Sequence, residues 1–513
     1  MEKKQGKVFL IGAGPGDPGL LTLKGKEYLS QAEVVVYDRL ADPHILAYAR
    51  PEAELIYVGK ASSRHTLKQP EINALLVKLA SDGKLVARLK GGDSFVFGRG
   101  GEEALELQKA GLPFEFVPGI TSAIAVPEYA GIPVTHRHVA TSFAVITGHE
   151  DPTKGPSSIN WQGLATSVDT LVFLMGVENL QHITSELIAH GRPAATPAAL
   201  IRWGTHPEQQ TLVTTLGRAY DDVQAAHLKP PAIFIVGEVV KLRTELAWFE
   251  KKPLFGKTVV VTRARAQASQ LTKQLTAAGA KVLEVPAIKL APPANYAPLD
   301  QALQNLSSYQ WLIFTSANGV DAFFKRLGLM QLDARALAGC LLAAIGSGTA
   351  AALKKYGLHA DVVPATYQAE DLARALQPHL QPGATVLLPR AAVARSVLPD
   401  TLQKWGARVT VVPVYQTVQD DSAKFELLNA LQNKTVDYIT FTSSSTVTNF
   451  LELIDRQTQL LNNVQLAVIG PITGATCAQA GLKVSITARE YTIHGLVSAL
   501  IESKYNLSTQ RRD

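Results

Sequence analysis

Residues 88–103 read Arg88-Leu-Lys-Gly-Gly-Asp-Ser-Phe-Val-Phe-Gly-Arg-Gly-Gly-Glu-Glu103 and follow directly on the apolar-basic run Lys84–Leu89. An apolar run that breaks into glycines and resumes as a helical stretch, here Glu102–Ala110, is the strand–turn–helix unit of an α/β fold. Five glycines stand among Arg88, Lys90, Asp93, Arg99, Glu102 and Glu103. Glycine lets a backbone approach a ligand and adopt positive φ. The charges around it can grip an anionic substrate and a charged cofactor together, so this loop is a candidate site.

The same alternation extends both ways. Strand-like runs occur at Lys7–Ile11, Glu33–Tyr37, Glu54–Val58, Phe114–Val117, Ser142–Thr147, Thr170–Met175 and Ala232–Val236, with a helix from about Leu20 and another over Pro70–Ser81. This predicts α/β architecture with largely parallel sheets. Residues 248–256, with Lys251-Lys252-Pro253 and Gly256, read as a linker between a domain over 1–247 and a second over 257–508.

The second half carries an internal repeat. TVVVTRA from Thr258 recurs as TVLLPRA from Thr385, LIFTSANGVDAFF from Leu312 as YITFTSSSTVTNF from Tyr438, and AIGSGTAAAL from Ala344 as VIGPITGATC from Val468. Arg263 and Arg390, like Ser316 and Ser443, lie 127 positions apart. Three landmarks in one order predict two similar α/β lobes facing a cleft.

At 513 residues the chain exceeds one ordinary core, and 46% hydrophobic with 18% charged residues describes a soluble globular protein. A net charge of +6 without clustered Lys/Arg gives no argument for nucleic acid. The two cysteines, Cys340 and Cys477, lack CxxC spacing, which fits a reducing cytoplasm and excludes a disulfide scaffold. The uncharged stretch Ala336–Leu353 is interrupted by Gly339, Gly346 and Gly348 and reads as strand, turn and helix start, so no membrane span is expected. His136 and His138 flank Arg137 without nearby carboxylates, and no metal site is expected.

Gly12-Ala-Gly14-Pro-Gly16-Asp17-Pro18 imitates a dinucleotide fingerprint and fails as one. Asp17 occupies the third glycine position, where a carboxylate opposes pyrophosphate, and Pro15 and Pro18 sit where the phosphate-binding helix should begin. The turns after the strands, at Gly12–Pro18, Gly91–Asp93, Pro118–Ser122, Gly176 and Gly204–Thr205, offer backbone amides, carbonyls and small side chains. Such a site suits a zwitterionic, sulfonium-bearing nucleoside better than a polyphosphate.

GAGPGDPGLLTLKG, RLKGGDSFVFGRGGEE, VPGITSAIAVPEYAGIPVTHR and GTHPEQQ resemble the signature segments of uroporphyrinogen-III C-methyltransferase, over about residues 5–245. The resemblance implies the tetrapyrrole methylase fold, two α/β subdomains with the active site between them, and S-adenosylmethionine as cofactor. It also implies a homodimer through this half. Its cofactor contacts fall on Pro15, Gly91, Gly92, Asp93, Val96, Thr121, Ser122, Met175 and Gly204. Its acid/base positions fall on Asp38 and Lys60, and its substrate-side polar positions on Arg99, Glu102 and Arg137. Ser94 departs from the family's common proline. Methylation of a pyrrole carbon requires loss of a ring proton, for which Asp38 or Glu102 is the candidate base. The implied reaction is double methylation of uroporphyrinogen-III, at C2 and C7, to precorrin-2.

FTSANGV, AIGSGTA, VYQT, FTSSSTV and IGPITGATC resemble uroporphyrinogen-III synthase over about residues 255–505. In that family the chain crosses twice between its lobes, so contiguous halves of the repeat need not be the lobes. The implied reaction is cyclisation of hydroxymethylbilane with inversion of ring D. Thr315, Ser316, Thr442, Ser443 and Thr473 are candidate carboxylate contacts, Arg263 and Arg390 charge partners, and Tyr415 the donor to the departing hydroxyl. The alternative is methylation of another precorrin carbon by a chain whose second half is a silent ligand-binding module.

Overall fold

The computed structural model describes residues 6–59, 67–149, 157–262, 265–365 and 368–509, without the side chains of 265–269 and 505–509. The chain forms two compact units. One comprises Met1–Val259 with Lys273–Val282 and Leu500–Asp513, the other Val260–Thr272 with Leu283–Ala499.

In the first unit β1 (Lys7–Gly12), β2 (Val34–Tyr37), β3 (Glu54–Tyr57), β4 (Leu85–Lys90) and β5 (Phe114–Val117) form a sheet in the order β3-β2-β4-β1-β5, parallel throughout. The run Val8-Phe9-Leu10-Ile11 is apolar without alternation because both faces are covered. Val8 and Leu10 pack on one side with Leu76 and Leu107, Phe9 and Ile11 on the other with Leu29 and Ile45. Fully burying such a side chain is worth about 1.5–3 kcal/mol, which fixes the strand's register.

A second sheet, β6 (Phe143–Thr147), β7 (Thr170–Leu174), β8 (Pro197–Arg202), β9 (Gln210–Thr215) and β10 (Ala232–Val236), runs β6-β7-β10-β8-β9. Only β6 and β7 are parallel; β10 and β8 pair antiparallel with their neighbours. The expectation of parallel pairing fails in this sheet, and β8 and β9 were not anticipated. A proline opens β8 and its apolar run is only the four residues Ala198–Ile201, while β9 (Gln-Thr-Leu-Val-Thr-Thr) is half exposed and gives no continuous apolar run.

Residues 248–256 are folded rather than a loose tether. Phe249 is 4% exposed and Leu254 fully buried, and Phe249–Lys251 forms a short 3-10 helix.

The rest of the chain forms two further five-stranded sheets, whose strands lie in the second unit apart from the first residues of β11 and β12. With β11 (Thr258–Val261), β12 (Lys281–Glu284), β18 (Tyr438–Phe441), β19 (Gln465–Val468) and β20 (Val484–Thr487), the first runs β12-β11-β18-β19-β20. With β13 (Ile288–Ala291), β14 (Trp311–Phe314), β15 (Leu341–Ala344), β16 (Thr385–Ala391) and β17 (Arg408–Gln419), the second runs β13-β17-β16-β14-β15. The matched trios β11-β18-β19 and β16-β14-β15 occupy equivalent places. Each lobe therefore combines elements of both sequence repeats. The two crossings are paired: β17 runs parallel to β16 up to Tyr415, then antiparallel to β13 from Gln416 to Gln419.

No helix among the described residues is long and apolar enough to cross a membrane. Strand β15 and the helix Ser347–Lys354 occupy the uncharged stretch Ala336–Leu353, as expected.

On β5, Glu115 accepts from Lys24 Nζ at 2.6 Å, Lys7 Nζ at 2.8 Å and Tyr28 Oη at 2.9 Å. These donors, Lys24 foremost, hold its carboxyl down at about 2. Its folded pKa lies below the ordinary value, so its stabilisation is complete above the unfolded pKa near 4.5 and lost as pH falls toward 2. Acid unfolding of Glu115→Gln should therefore differ from the parent above that window and converge with it below, as followed by circular dichroism.

Candidate active sites

Three glycine loops meet where β1, β4 and β5 end. Gly14 and Gly92 exchange backbone hydrogen bonds, Gly14 N–H to Gly92 O at 3.2 Å and Gly92 N–H to Gly14 O at 2.6 Å. Gly119 is pressed against Gly12 and Gly92: a Cβ there would lie 2.6 Å from Gly12 Cα and closer still to Gly92 O. Asp93 fastens the assembly. Its Oδ2 accepts from Gly119 N–H at 2.9 Å, and its Oδ1 from Phe95 N–H at 2.8 Å and Val96 N–H at 3.3 Å. Its carboxylate is thus committed to the loops.

Gly92, at φ +69°, leaves an open hollow; a Cβ there would meet only Ser122 N within 4 Å, at 3.9 Å. Thr121 caps the helix Ser122–Tyr129 and Ser122 is its first residue. Gly204 packs against Val126 of the same helix. Val96 joins one apolar cluster with Ala123, Val126, Leu174 and Ile201, so the ends of β7 and β8, bearing Met175 and Gly204, reach that helix too. Met175, at φ +58°, is 52% exposed. Pro15 lies in the β1 loop between Gly14 and Gly16. These cofactor candidates therefore gather round one helix and three loops.

Asp38 follows β2. Its Oδ1 accepts from Leu40 N–H at 3.1 Å and its Oδ2 from Arg88 Nη2 at 3.3 Å, while Leu40 closes on Gly91. Behind it Arg88, Lys90 and Glu103, read from the sequence among the charges that could grip substrate or cofactor, form instead a buried cluster that pairs within itself. Glu103 is fully buried, Arg88 2% and Lys90 5% exposed. Glu103 Oε1 accepts from Lys90 Nζ at 2.8 Å, Gln69 Nε2 at 3.1 Å and Arg88 Nε at 3.2 Å. Its Oε2 has no partner among the described residues. Burial, then the Arg88 charge, pulls the Lys90 ammonium below its ordinary value against the pull of Glu103.

Arg99, at φ +59°, precedes the helix Gly100–Lys109 and grips Glu102 at 2.8 and 2.6 Å. This pair is half exposed. Arg137 stands exposed on a turn closed by His136 and Ala140; Val139 beside it shares the apolar cluster of Val96. Lys60 lies outside the described residues. A hollow of about 180 Å³ lined by Lys7, Gln31, Glu33 and Arg50 contains none of these candidates.

In the second unit the candidates separate by lobe. Ser316 caps the helix Ala317–Leu329, accepting from Gly319 N–H at 3.0 Å, and its hydroxyl lies 3.2 Å from Tyr415 Oη. Thr315 precedes it, half-buried. Arg390, 7% exposed, donates to Arg395 O at 2.8 Å, and burial lowers its pKa. In the other lobe Ser443 caps the helix Ser444–Leu453 and Thr442 precedes it. Thr473 departs from the expectation of an accessible hydroxyl: it is 4% exposed, on the buried face of its helix. Arg263 lies outside the described residues. Among the described residues no group of His, Cys, Asp and Glu could hold a metal ion.

Residues 7–220 match the family model of tetrapyrrole (corrin/porphyrin) methylases and residues 269–498 that of uroporphyrinogen-III synthase HemD. Porphyrin biosynthesis protein HemD of Ruminiclostridium josui is 39% identical over 499 residues, covering 97% of this chain and 98% of its own. The chain belongs to this family of methylase–synthase fusions. The methylase half is 54% identical to uroporphyrinogen-III C-methyltransferase of Priestia megaterium, over 46% of this chain and 98% of that one. It is 43% identical to uroporphyrin-III C-methyltransferase of Thermus thermophilus, crystallised with S-adenyl homocysteine; that match covers 46% of this chain and 99% of that one, with a TM-score of 0.40. The fusion is a bifunctional enzyme of tetrapyrrole biosynthesis with a methyltransferase part and a synthase part.

Proposed function

We propose that the synthase half cyclises hydroxymethylbilane to uroporphyrinogen-III with ring D inverted, and that the methylase half methylates this product at C2 and C7 to precorrin-2. The observation that carries the methylase reading is the contact of Gly12, Gly92 and Gly119 backbones beside the hollow at Gly92. A Cβ on Gly12 or Gly119 would collide with backbone, so the three loops come this close only as glycines, and the open space at Gly92 is the cradle where S-adenosylmethionine would lie. When bound, that cofactor supplies a methyl group on a sulfonium. Thr121, Ser122, Gly204 and the backbone at Gly91–Asp93 would hold it. Arg99 and Arg137 would take substrate carboxylates by charge-assisted contacts, and orientation of the pyrrole carbon supplies most of the rate. The same reading pairs the methylase half with a second copy.

Asp38 is the better placed of the two candidate bases: its loop touches Gly91, and its oxygens are held by Leu40 N–H at 3.1 Å and Arg88 at 3.3 Å, more loosely than those of Glu102, which Arg99 grips at 2.8 and 2.6 Å. Asp38→Asn keeps the shape and removes the proton acceptor. Methyl transfer should fall about 10²-fold, with affinity for S-adenosylmethionine little changed, measured by single turnover and calorimetry.

In the synthase half, Tyr415 would donate to the departing hydroxyl. Arg390 and the capped helix starts at Ser316 and Ser443 would hold carboxylates, helix N-termini being favourable places for anions. The full chain fed hydroxymethylbilane should give isomer III alone without S-adenosylmethionine and precorrin-2 with it. Isomer I alone would leave a silent second half. A product methylated at other carbons would favour the alternative precorrin methylase.

A further inference from the structure

We propose that Glu250 is a positioning residue for the cofactor-side loop 203–206, so that the segment after the methylase domain is a working part of the methyl-transfer site. The inference rests on the reading that S-adenosylmethionine binds beside Gly204.

The loop is held in a conformation its residues disfavour. Trp203 and Thr205 flank Gly204 at φ +48° and +70°, and a β-branched residue in that region is a genuine outlier. Such strain persists only where the surroundings over-determine it. Thr205 is 2% exposed and bonded on both sides. Its Oγ1 accepts from Asp17 N–H at 3.1 Å, and its N–H donates to Gln209 Oε1 at 3.0 Å.

Gln209, 4% exposed, can serve Thr205 only if its amide faces that way. Glu250 decides the direction. Its Oε1 accepts from Gln209 Nε2 at 2.9 Å and Thr211 Oγ1 at 2.6 Å, and its Oε2 accepts from Arg243 Nη2 at 2.6 Å. A carboxylate only accepts, so the amide nitrogen must face Glu250 and the amide oxygen must face Thr205. Glu250 is itself fixed by its neighbour Phe249, buried and 4.8 Å from the Tyr129 ring. Arg243 also donates to Ala130 O, at the end of the helix on which Gly204 packs. Without the carboxylate, Gln209 loses its orientation, Thr205 N–H its acceptor, and the loop its reason to keep Gly204 in place.

Calorimetric titration of the full chain with S-adenosylmethionine tests this, alongside steady-state KM values. Glu250→Ala should weaken cofactor binding about tenfold, equivalent to about 1.4 kcal/mol, and raise the cofactor KM with the tetrapyrrole KM little changed. Gln209→Glu, which sets two carboxylates face to face, should do the same. The exchanged pair Gln209→Glu with Glu250→Gln restores a donor facing an acceptor and should recover most of the affinity. Asp169→Asn removes an acceptor of Thr141 and Ser142 in the same subdomain and should lower stability without changing cofactor affinity. Unchanged affinity in both single variants overturns the proposal. So does weakened binding in both that the exchange fails to recover, which marks mere loss of structure. Should Glu250→Ala not fold, Glu250→Gln alone replaces it in the same comparison. If the parent chain takes up no S-adenosylmethionine, the cofactor reading itself has failed; parent binding with indifferent variants defeats only the role of Glu250.

Discussion

Glu103→Ala should lower the unfolding temperature of the methylase half by about 10 °C. That figure follows from about 3–5 kcal/mol for breaking a buried pair and about 2–4 °C per kcal/mol for a domain of this size. Glu103 Oε1 gathers donors from Arg88, Lys90 and Gln69 in a place closed to water. Truncation leaves two cations without it; among the described residues Asp38, at 3.3 Å, is the carboxylate that remains paired with Arg88. Calorimetry of the full chain should show the methylase transition moving while the synthase transition stays, because the halves have separate cores. Glu106→Ala, on the same helix, removes an exposed pair with Lys109 and should change stability by no more than about 1 kcal/mol. The mechanism has a sharper signature. Replacing Arg88, Lys90 and Glu103 together by Met, Met and Leu should destabilise less than Glu103→Ala, since the buried charges go together and Asp38, which loses Arg88, is partly exposed to water. If the triple variant is the weaker, the loss comes from packing rather than from an unpaired charge.

The sequence carried β1, β2 and β4 of the first sheet well because they are buried on both faces, and Phe114–Val117 in that sheet and Ala232–Val236 in the second match the observed strands end to end. It carried the glycine loops because glycine is informative wherever backbones touch. It could not tell Glu102 from Glu103. Both follow Gly100-Gly101, yet one is exposed and gripped by Arg99 while the other is fully buried; only the helix's orientation on the sheet separates them. The exchange of elements between the synthase lobes was not in the repeat, which records likeness and not connectivity; it was expected only from the resemblance to the synthase family. Residues 248–256 were read as a linker from their Lys-Lys-Pro and Gly, which say nothing of the packing of Phe249 and Leu254. The overlooked signal was Trp248, Phe249 and Phe255, because aromatic side chains contribute large buried area and are out of place in a solvated tether.

Gly119→Ala should abolish measurable uptake of S-adenosylmethionine while leaving the synthase half active. The added methyl would fall 2.6 Å from Gly12 Cα and nearer to Gly92 O. Both are backbone atoms, with no rotamer to yield. The β1 and β4 loops are themselves joined through Gly14 and Gly92, so neither can retreat alone. Relief requires the β5 loop to withdraw, which breaks the bond from Gly119 N–H to Asp93 and shifts Thr121 and Ser122 with it. Displacement of about 1 Å in a positioned site is enough for about a 10²-fold loss, and here three walls of the cradle move together. Gly111→Ala is the proper comparison. That residue has φ +66° with nothing within 4 Å of a Cβ, so it bears the backbone strain of a left-handed alanine, about 1 kcal/mol, and no collision. Titration calorimetry should find Gly111→Ala close to the parent and Gly119→Ala silent, with isomer III still formed from hydroxymethylbilane by both. Parent-like affinity in Gly119→Ala would mean that the cofactor does not sit in the cradle where these three backbones meet.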